Sequence, residues 1–386
     1  MVSAPAKGRD PLSVLTYLTR NVRRILPASI MLASAVIIVV VVLSMLRGVK
    51  AGAMRYTREF RVFTVVLPKK QATISKEERA AIRSHPSVER VADAFNCIVR
   101  VKTFVGALPY QLRAVEADDL VFLMDRAGLK LKPGGRLPAP DSNEVVMHEW
   151  LMAANGWNVG QEFGIDVNED DWMPGRFKVV GILEGPAPMG FASREFMSND
   201  VVYGFAPKLW ERLLVVAKPG RQAEMNAFLR SLTTAKAFDE ARAIDEVNES
   251  FDQIMFMTQI ISVLIMLVVA LVVGLLNNIF FAQRIDEFAV LLALGWRRGR
   301  LVRKVLGESL VIAFASWLAG LGLALGLMEG ITWLLLEPRG IFIPVLHGPP
   351  IGLSLLLPAV AMVFSGVTVF RRLTKLDPIV IIERRG

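Results

Sequence analysis

The sequence predicts an α-helical membrane protein with four transmembrane helices and a mixed α/β domain between the first and second helices. The chain has 386 residues, 53% of them hydrophobic, and its mean hydropathy of +0.44 is too high for soluble domains. Four stretches reach the roughly 20 apolar residues that a membrane helix needs. Between the first two stretches, strand-like and helix-like segments alternate over residues 47–253, which favours an α/β domain.

The first apolar stretch admits two interpretations. Arg23 and Arg24 precede it, and Ala51-Gly52-Ala53 resembles the cleavage site of a secretory signal peptide. Its apolar core is longer than the roughly 7–15 residues of such signals, so an uncleaved helix is favoured. The predicted segments are an amphipathic N-terminal segment (1–24), transmembrane helices at 25–46, 254–282, 305–336 and 351–370, an external domain with helical stalks (47–253), a cytoplasmic loop (283–304), an external loop (337–350) and a tail (371–386).

Basic residues predict the orientation in the cell (inner) membrane. Residues 1–24 carry a net charge of +4, residues 283–304 carry +4 and residues 371–386 carry +3, whereas residues 47–253 are neutral. Because Lys and Arg near helix ends are retained in the cytoplasm, both termini and the loop 283–304 are predicted to be inside. The formal net charge of +9 is thus a topology signal, and nucleic acid is not a predicted partner.

Within the external domain, β-branched and aromatic runs predict strands, and turn residues bound them. Ser75 opens a capping box with Glu78 and starts a short helix that Pro86 limits. The predicted strands are Phe60–Leu67, Ile98–Phe104, Phe177–Leu183 and Leu213–Ala217, and a second helix is predicted over residues 222–232.

Two helical stalks are predicted at the ends of this domain. Residues 47–60 contain no proline, so they are expected to prolong the first membrane helix outward. Before the second membrane helix, apolar residues recur every three or four positions and define one helix face. These residues are Phe238, Ala241, Ile244, Val247, Phe251 and Ile254. The alternative is that both segments are only edge helices of the domain.

The sequence contains no recognisable catalytic or metal site. Cys97 is the single cysteine, and the three histidines are far apart in the sequence. His148-Glu149 starts like a zinc-protease motif, but Met152 stands where the second histidine belongs, so a surface pair is expected. No GxxxxGK[ST] loop occurs, and the predicted membrane helices contain only Glu308 and Glu329 as ionisable residues, which argues against a hydrophilic channel.

Small residues on the third membrane helix predict close helix packing. Gly322, Gly326 and Gly330 recur at intervals of four, and such spacing lets helices approach closely. The sequence leaves open whether the partner helix belongs to the same chain or to a second copy.

The cytoplasmic loop contains a predicted short amphipathic helix. Phe288, Leu291, Leu292 and Leu294 form its apolar side, and Gly295 is expected to end it as a C-cap. A helix of this kind inserts into a partner's groove or lies on the lipid interface.

This loop resembles the permease subunits of the MacB/FtsX superfamily of ABC transporters, the type VII group. The order of one helix, a large domain and three helices is similar as well. In the loop and the following helix, the resemblance is carried by Arg284, Glu287, Leu291, Ala293, Gly295 and Glu308-Ser309, and in the tail by Leu376-Asp377-Pro378. In the external domain, Asn143–Ile165 and Phe177–Leu183 are similar to the MacB-like periplasmic core domain of the family.

The resemblance implies partners rather than catalysis on this chain. It implies a homodimer or pseudo-dimer bound to separate ABC ATPase subunits, which bind ATP and Mg, and it leaves open a periplasmic adaptor or membrane-fusion protein. Trp296 departs from the small residue that the family often has. The residues that match the family's ATPase-contacting coupling helix are Asp286, Glu287, Phe288, Leu291, Leu292, Leu294 and Gly295.

The function implied is mechanotransmission, in which ATP hydrolysis moves the external domain to export or extract a hydrophobic, peptide or lipoprotein-type substrate. A second hypothesis is a non-transporting, FtsX-like signalling scaffold that regulates a cell-wall hydrolase. A third, a membrane-anchored binding protein without an ATPase, is disfavoured by the loop motif.

Overall fold

The computed structural model describes residues 21–69, 73–103, 106–201, 203, 211–336 and 348–374. Most of the predicted N-terminal segment 1–24, of the external loop 337–350 and of the tail 371–386 lies outside these residues. The chain divides into two compact units. The membrane unit comprises Met1–Arg47, Gln253–Gly330 and Pro344–Gly386, and the external unit comprises Gly48–Asp252 and Ile331–Ile343.

Among the described residues, four helices are long and apolar enough to cross a membrane, which agrees with the predicted number. Pro358 interrupts the last span near its start, because proline supplies no backbone N–H to the preceding turn. The helices are α1 (Val22–Tyr56), α7 (Glu240–Gln283), α8 (Ile285–Ala293), α9 (Arg298–Ile331, followed by a π-helical turn at Thr332–Leu336), α10 (Gly348–Ser354) and α11 (Leu356–Thr374).

The membrane unit has its own apolar core. Trp317 lies in it, and its indole Nε1 donates a hydrogen bond to Ser354 Oγ at 3.0 Å, which satisfies the buried polar end of that ring. Other buried members are Leu32, Val36, Val40, Met266, Ala270, Ala324, Leu357 and Ala361.

The external unit is a mixed α/β fold, as predicted. Its strands are β1 (Thr64–Pro68), β2 (Val88–Thr103), β3 (Gly106–Val115), β4 (Lys130–Leu131), β5 (Glu144–His148), β6 (Glu162–Phe163), β7 (Phe177–Glu184), β8 (Gly190–Ser193), β9 (Glu211–Ala217) and β10 (Ala235–Phe238). Its helices are α2 (Lys76–Ser84), α3 (Ala117–Ala127), α4 (Glu149–Asn155), α5 (Arg194–Asn199) and α6 (Gln222–Ser231), and a 3₁₀ helix covers Thr57–Arg61.

All ten strands form one sheet in the order β10-β1-β9-β2-β3-β8-β5-β7-β4, with β6 also on β7. The long β2 joins its two halves, because Val88–Phe95 pairs with β9 and Phe95–Thr103 pairs with β3. The pairs β3–β8 and β5–β7 are parallel, and the other pairs are antiparallel. Both faces bury apolar side chains.

The structure corrects three predicted boundaries. The strand predicted from Ile98 begins at Val88, and its predicted end at Phe104 lies outside the described residues. The strand predicted from Phe60 begins at Thr64, because Phe60 lies in the 3₁₀ helix and packs edge-on against Phe63 and Phe238. The helix predicted from Phe238 begins at Glu240, because Phe238 ends β10, where it pairs with Val65.

The predicted cap at Ser75 is present. Ser75 Oγ accepts a hydrogen bond from the Glu78 N–H at 3.1 Å. The Glu78 carboxylate does not return to Ser75; it accepts hydrogen bonds from Thr233 and Thr234 and so ties α2 to the segment before β10. Partial burial opposes these bonds, but they lower the pKa of Glu78 to about 2.

Candidate functional site

The loop after the second membrane helix folds into a short helix with a defined end. This helix, α8, covers Ile285–Ala293 and is separated from α7 by Arg284 alone. Gly295 has a φ of +90°, its N–H bonds to the Leu292 carbonyl at 3.0 Å, and the Trp296 N–H bonds to the Leu291 carbonyl at 3.0 Å. This is a Schellman motif, and the predicted Gly295 cap is confirmed.

One side of α8 packs inward. Phe288 is 1% exposed and Ala289 is also buried, together with Leu301, Val305 and Val369. Because its ring is enclosed by this chain, Phe288 is not part of the exposed surface of α8, and its contact with an ATPase stays a prediction. Ile285, Leu291, Leu292 and Trp296 are partly buried and pack against the same cluster.

The opposite side of α8 is exposed and apolar. Val290 is 52% exposed and Leu294 is 73% exposed, and the two are four residues apart on one helix face. The Glu287 carboxylate, three residues before Val290, is exposed on this side too. We call Val290 and Leu294 the apolar tip; Leu294 belongs to the predicted contact set, and Val290 was missed.

Basic residues follow the apolar tip. Arg297, Arg298 and Arg300 are exposed, and the Arg300 guanidinium carbon lies 5.5 Å from the centroid of the Trp296 ring. Gly295, the last residue of the predicted contact set, is exposed between the tip and these arginines. The side chain of Asp286, another member of the predicted contact set, lies outside the described part of the structure.

The predicted glycine stripe and the observed close packing are different features. Gly320 packs closely in this chain, since a Cβ on it would lie 2.7 Å from the Ala33 carbonyl oxygen and 2.9 Å from Ala33 Cα. A Cβ on Gly322, Gly326 or Gly330 would meet no atom of the described chain within 4 Å. Within the described residues, no neighbouring helix therefore packs closely against that stripe, and its role in helix packing stays a prediction.

The predicted stalk segments are linked to each other in the external unit. Lys50 Nζ lies 2.7 Å from Asp252 Oδ1, and Arg61 Nε lies 2.6 Å from Glu240 Oε1. Surface pairs of this kind contribute about 0.2–1 kcal/mol each, so they align the segments more than they stabilise the fold. Of the predicted stalk residues, Ile244, Val247 and Phe251 lie in α7 at partial exposure, and their stalk role stays a prediction.

A buried ion pair fixes the 3₁₀ helix to the centre of the sheet. Arg113 on β3 donates from Nη2 to Glu59 Oε1 at 2.9 Å, and it also bonds to Asn96 on β2. Both members of the pair are buried. Because removing one member of such a pair costs about 3–5 kcal/mol, this contact holds the start of the external unit on the sheet.

His148 is a structural residue and not part of a surface pair. It is fully buried, its Nδ1 accepts from the Trp150 N–H at 3.2 Å, and its Nε2–H donates to the Gly185 carbonyl at 3.0 Å. Burial lowers its pKa, so the ring is neutral. Among the described residues, no group of three or more His, Cys, Asp or Glu is arranged to hold a metal.

Parts of this chain are similar to known proteins. Residues 259–378 match the family described as FtsX-like permease C-terminal. Among solved structures, the periplasmic region of MacB from Actinobacillus actinomycetemcomitans is 12% identical, with a TM-score of 0.30 over 49% of this chain and 92% of that chain. The extracellular domain of the noncanonic ABC-type transporter YknZ from Gram-positive bacteria is 11% identical, with a TM-score of 0.29 over 46% of this chain and 99% of that chain. No curated protein matches the chain.

The family match covers α8, its exposed tip, the Arg284 and Glu308 positions and the last two membrane spans. It is the same part of the chain in which the loop motif lies. This match confirms the predicted resemblance to the MacB/FtsX group: residues 259–378 of this multi-pass membrane protein are similar to the C-terminal part of FtsX-like permeases.

Proposed function

We propose that the chain is the permease subunit of an ABC transporter that works by mechanotransmission. A separate ATPase subunit binds the apolar tip of α8, hydrolyses ATP with its own Mg, and thereby moves the external unit. The observation that carries the proposal is the pair of exposed apolar side chains, Val290 and Leu294, on a helix whose other face is buried.

The chemistry of the tip supports a protein partner. Burying a valine or leucine side chain contributes about 1.5–3 kcal/mol, so enclosure of both provides a useful part of a binding free energy. A short helix that presents apolar residues four apart fits a groove on a partner. Arg297, Arg298 and Arg300 surround this contact with basic charge, so an acidic rim on the ATPase groove is expected.

A second copy of this chain is the proposed partner in the membrane. Gly322, Gly326 and Gly330 meet no atom of the described chain, yet their spacing is typical of a helix–helix contact. A homodimer would place two coupling helices under two ATPase subunits. The alternative is a pseudo-dimer of this chain with a related permease. Crosslinking at Leu323, which lies next to the glycine stripe, distinguishes the two, because only a homodimer joins two copies of this chain.

The direct test is co-purification of this chain with a co-expressed candidate ABC ATPase subunit. Val290→Asp and Leu294→Asp are expected to reduce the bound ATPase at least tenfold, because a carboxylate is then buried in an apolar groove. Val121→Asp is the matched control, since Val121 is 54% exposed on α3 of the external unit and is not part of the apolar tip. Equal recovery of ATPase with all three variants and the parent would refute the assigned surface.

Transport and signalling are separated by a second experiment. The reconstituted complex is expected to extract a hydrophobic, peptide or lipoprotein-type substrate in an ATP-dependent way. A complex that hydrolyses ATP and captures a cell-wall hydrolase through its external unit, without moving any such substrate, would instead support the signalling scaffold.

A further inference from the structure

Arg284 occupies the break between α7 and α8 and contacts both sides of it. Its Nη1 donates to Glu308 Oε2 on α9 at 2.8 Å, and its Nε donates to Glu287 Oε2 on α8 at 3.1 Å. Its guanidinium lies 5.0 Å from the centroid of the Phe288 ring. One side chain thus connects the end of the second membrane helix, the coupling helix and the third membrane helix.

The two carboxylates that Arg284 contacts are not equivalent. Glu287 is mostly exposed, so its bond is weakened by water, whereas Glu308 is only 3% exposed. A buried carboxylate depends on its partner, because removal of the arginine leaves an uncompensated charge. The Arg284–Glu308 bond is therefore the stronger constraint on where α8 begins.

The surroundings of the second carboxylate oxygen of Glu308 allow the Arg284–Glu308 ion pair to open. Glu308 Oε1 has no hydrogen-bond partner among the described residues. The residue Glu308 lines a cavity of about 40 Å³ together with Ser309 and Ser365. A polar cavity of more than about 10–15 Å³ holds a water molecule. When Arg284 moves away, water at this place hydrates the carboxylate, so the pair opens at a lower cost than in a dry core.

We propose that Arg284 and Glu308 are positioning residues that set the orientation of α8 on α9. When a partner displaces the apolar tip, the ion pair transmits the movement of α8 to α7 and α9. Without the pair, α8 would move independently of these two helices. The inference deepens the proposed function and rests on it for its role in coupling. The positioning itself is a property of the permease alone.

The positioning is tested without any ATPase. Spin labels at Ala293→Cys on α8 and Leu310→Cys on α9 report the distance between these helices in the purified full-length permease, diluted with unlabelled copies. The parent is expected to give one narrow distance distribution. Arg284→Met and Glu308→Met are each expected to broaden it at least twofold, and Arg297→Met, an exposed arginine of the same loop, is expected to leave it unchanged.

Each single variant leaves one buried charge unpaired and is at risk of misfolding. The double variant Arg284→Met/Glu308→Met is expected to stay folded, because replacing both members of a buried pair by apolar residues is tolerated better than removing one. If the pair acts as a unit, the double variant broadens the distribution to the same extent as either single variant does. A parent-like distribution in the double variant, or broadening that adds up from the two single variants, would overturn the proposal.

The coupling role is tested with the ATPase present. In the double variant, the ATPase is expected to co-purify as with the parent, since Val290 and Leu294 are unchanged, while stimulation of ATP turnover by the permease falls at least fivefold. Parent-like stimulation would overturn the coupling role. Loss of co-purification from the parent itself would instead reject the proposed function and leave the distance measurement valid.

Discussion

Gly320 is the position where one added methyl group tests the packing of the membrane unit. In Gly320→Ala, the new Cβ would lie 2.7 Å from the Ala33 carbonyl oxygen, 2.9 Å from Ala33 Cα and 3.0 Å from Val36 Cβ. Two of these atoms belong to the backbone of α1, so relief requires the helices to move apart. Overpacking of this kind costs about 1–3 kcal/mol.

Gly322→Ala is the matched control on the same helix, because a Cβ there meets no atom within 4 Å. Both substitutions gain the helix propensity of alanine over glycine, about 0.8–1 kcal/mol, so this gain cancels between them. The free energy of unfolding of Gly320→Ala is therefore expected to be about 1–3 kcal/mol below that of Gly322→Ala.

The measurement is unfolding of the purified permease in mild detergent by titration with a denaturing detergent, at dilutions where copies are separate. This dilution is needed because Gly322 belongs to the stripe proposed to contact a second copy. Equal unfolding free energies for the two variants would show that α1 and α9 do not approach at Gly320, and the reasoning would fail.

Three further predictions concern single residues. Phe288→Ala is expected to lower the free energy of unfolding by about 3–5 kcal/mol because Phe288 is buried, whereas Val290→Ala is expected to change it by no more than about 0.5 kcal/mol because Val290 is exposed. Similar losses for both variants in denaturant titrations would contradict the assignment of a buried and an exposed face to α8. Burial raises the pKa of the Cys97 thiol to about 12, so a thiol reagent at pH 8 is expected to modify it only after unfolding, and rapid modification of the native protein would argue against its burial. Because the pKa of Glu78 is lowered to about 2, its carboxylate contributes stability that is fully present above pH 4.5 and is lost as the pH falls from 4.5 towards 2. Glu78→Gln is expected to remove this part of the pH dependence of the unfolding free energy. An unchanged pH profile in the variant would refute this contribution of Glu78.

Hydropathy and capping made the membrane helices and α8 predictable. Four uninterrupted apolar stretches leave little choice of structure, and Gly295 ends α8 because only glycine readily adopts its φ of +90°. The orientation of α8 was not predictable in the same way. Ile285, Phe288, Val290 and Leu291 give it apolar residues on several sides, so only the packing on α9 decides that Phe288 is buried and Val290 is exposed.

Contacts between distant parts of the sequence were also beyond sequence reasoning. Glu308 was recognised as part of a motif, but its ion pair with Arg284 depends on how α7, α8 and α9 cross. Spacing alone favoured Gly322 over Gly320, although Gly320 is the residue that touches α1. His148 was expected at the surface because it is polar, whereas its two hydrogen bonds satisfy it inside the domain.

The central claim is that ATP hydrolysis on a partner subunit moves the external unit. Val121 is exposed on α3 of that unit, and the buried Cys97 leaves Val121→Cys as the reactive site for a spin label. The distance between labels on two copies in the membrane complex is expected to change between the nucleotide-free and ATP-trapped states, and to stay constant in the Arg284→Met/Glu308→Met variant. Identical distances in both states of a complex that is hydrolysing ATP would contradict mechanotransmission.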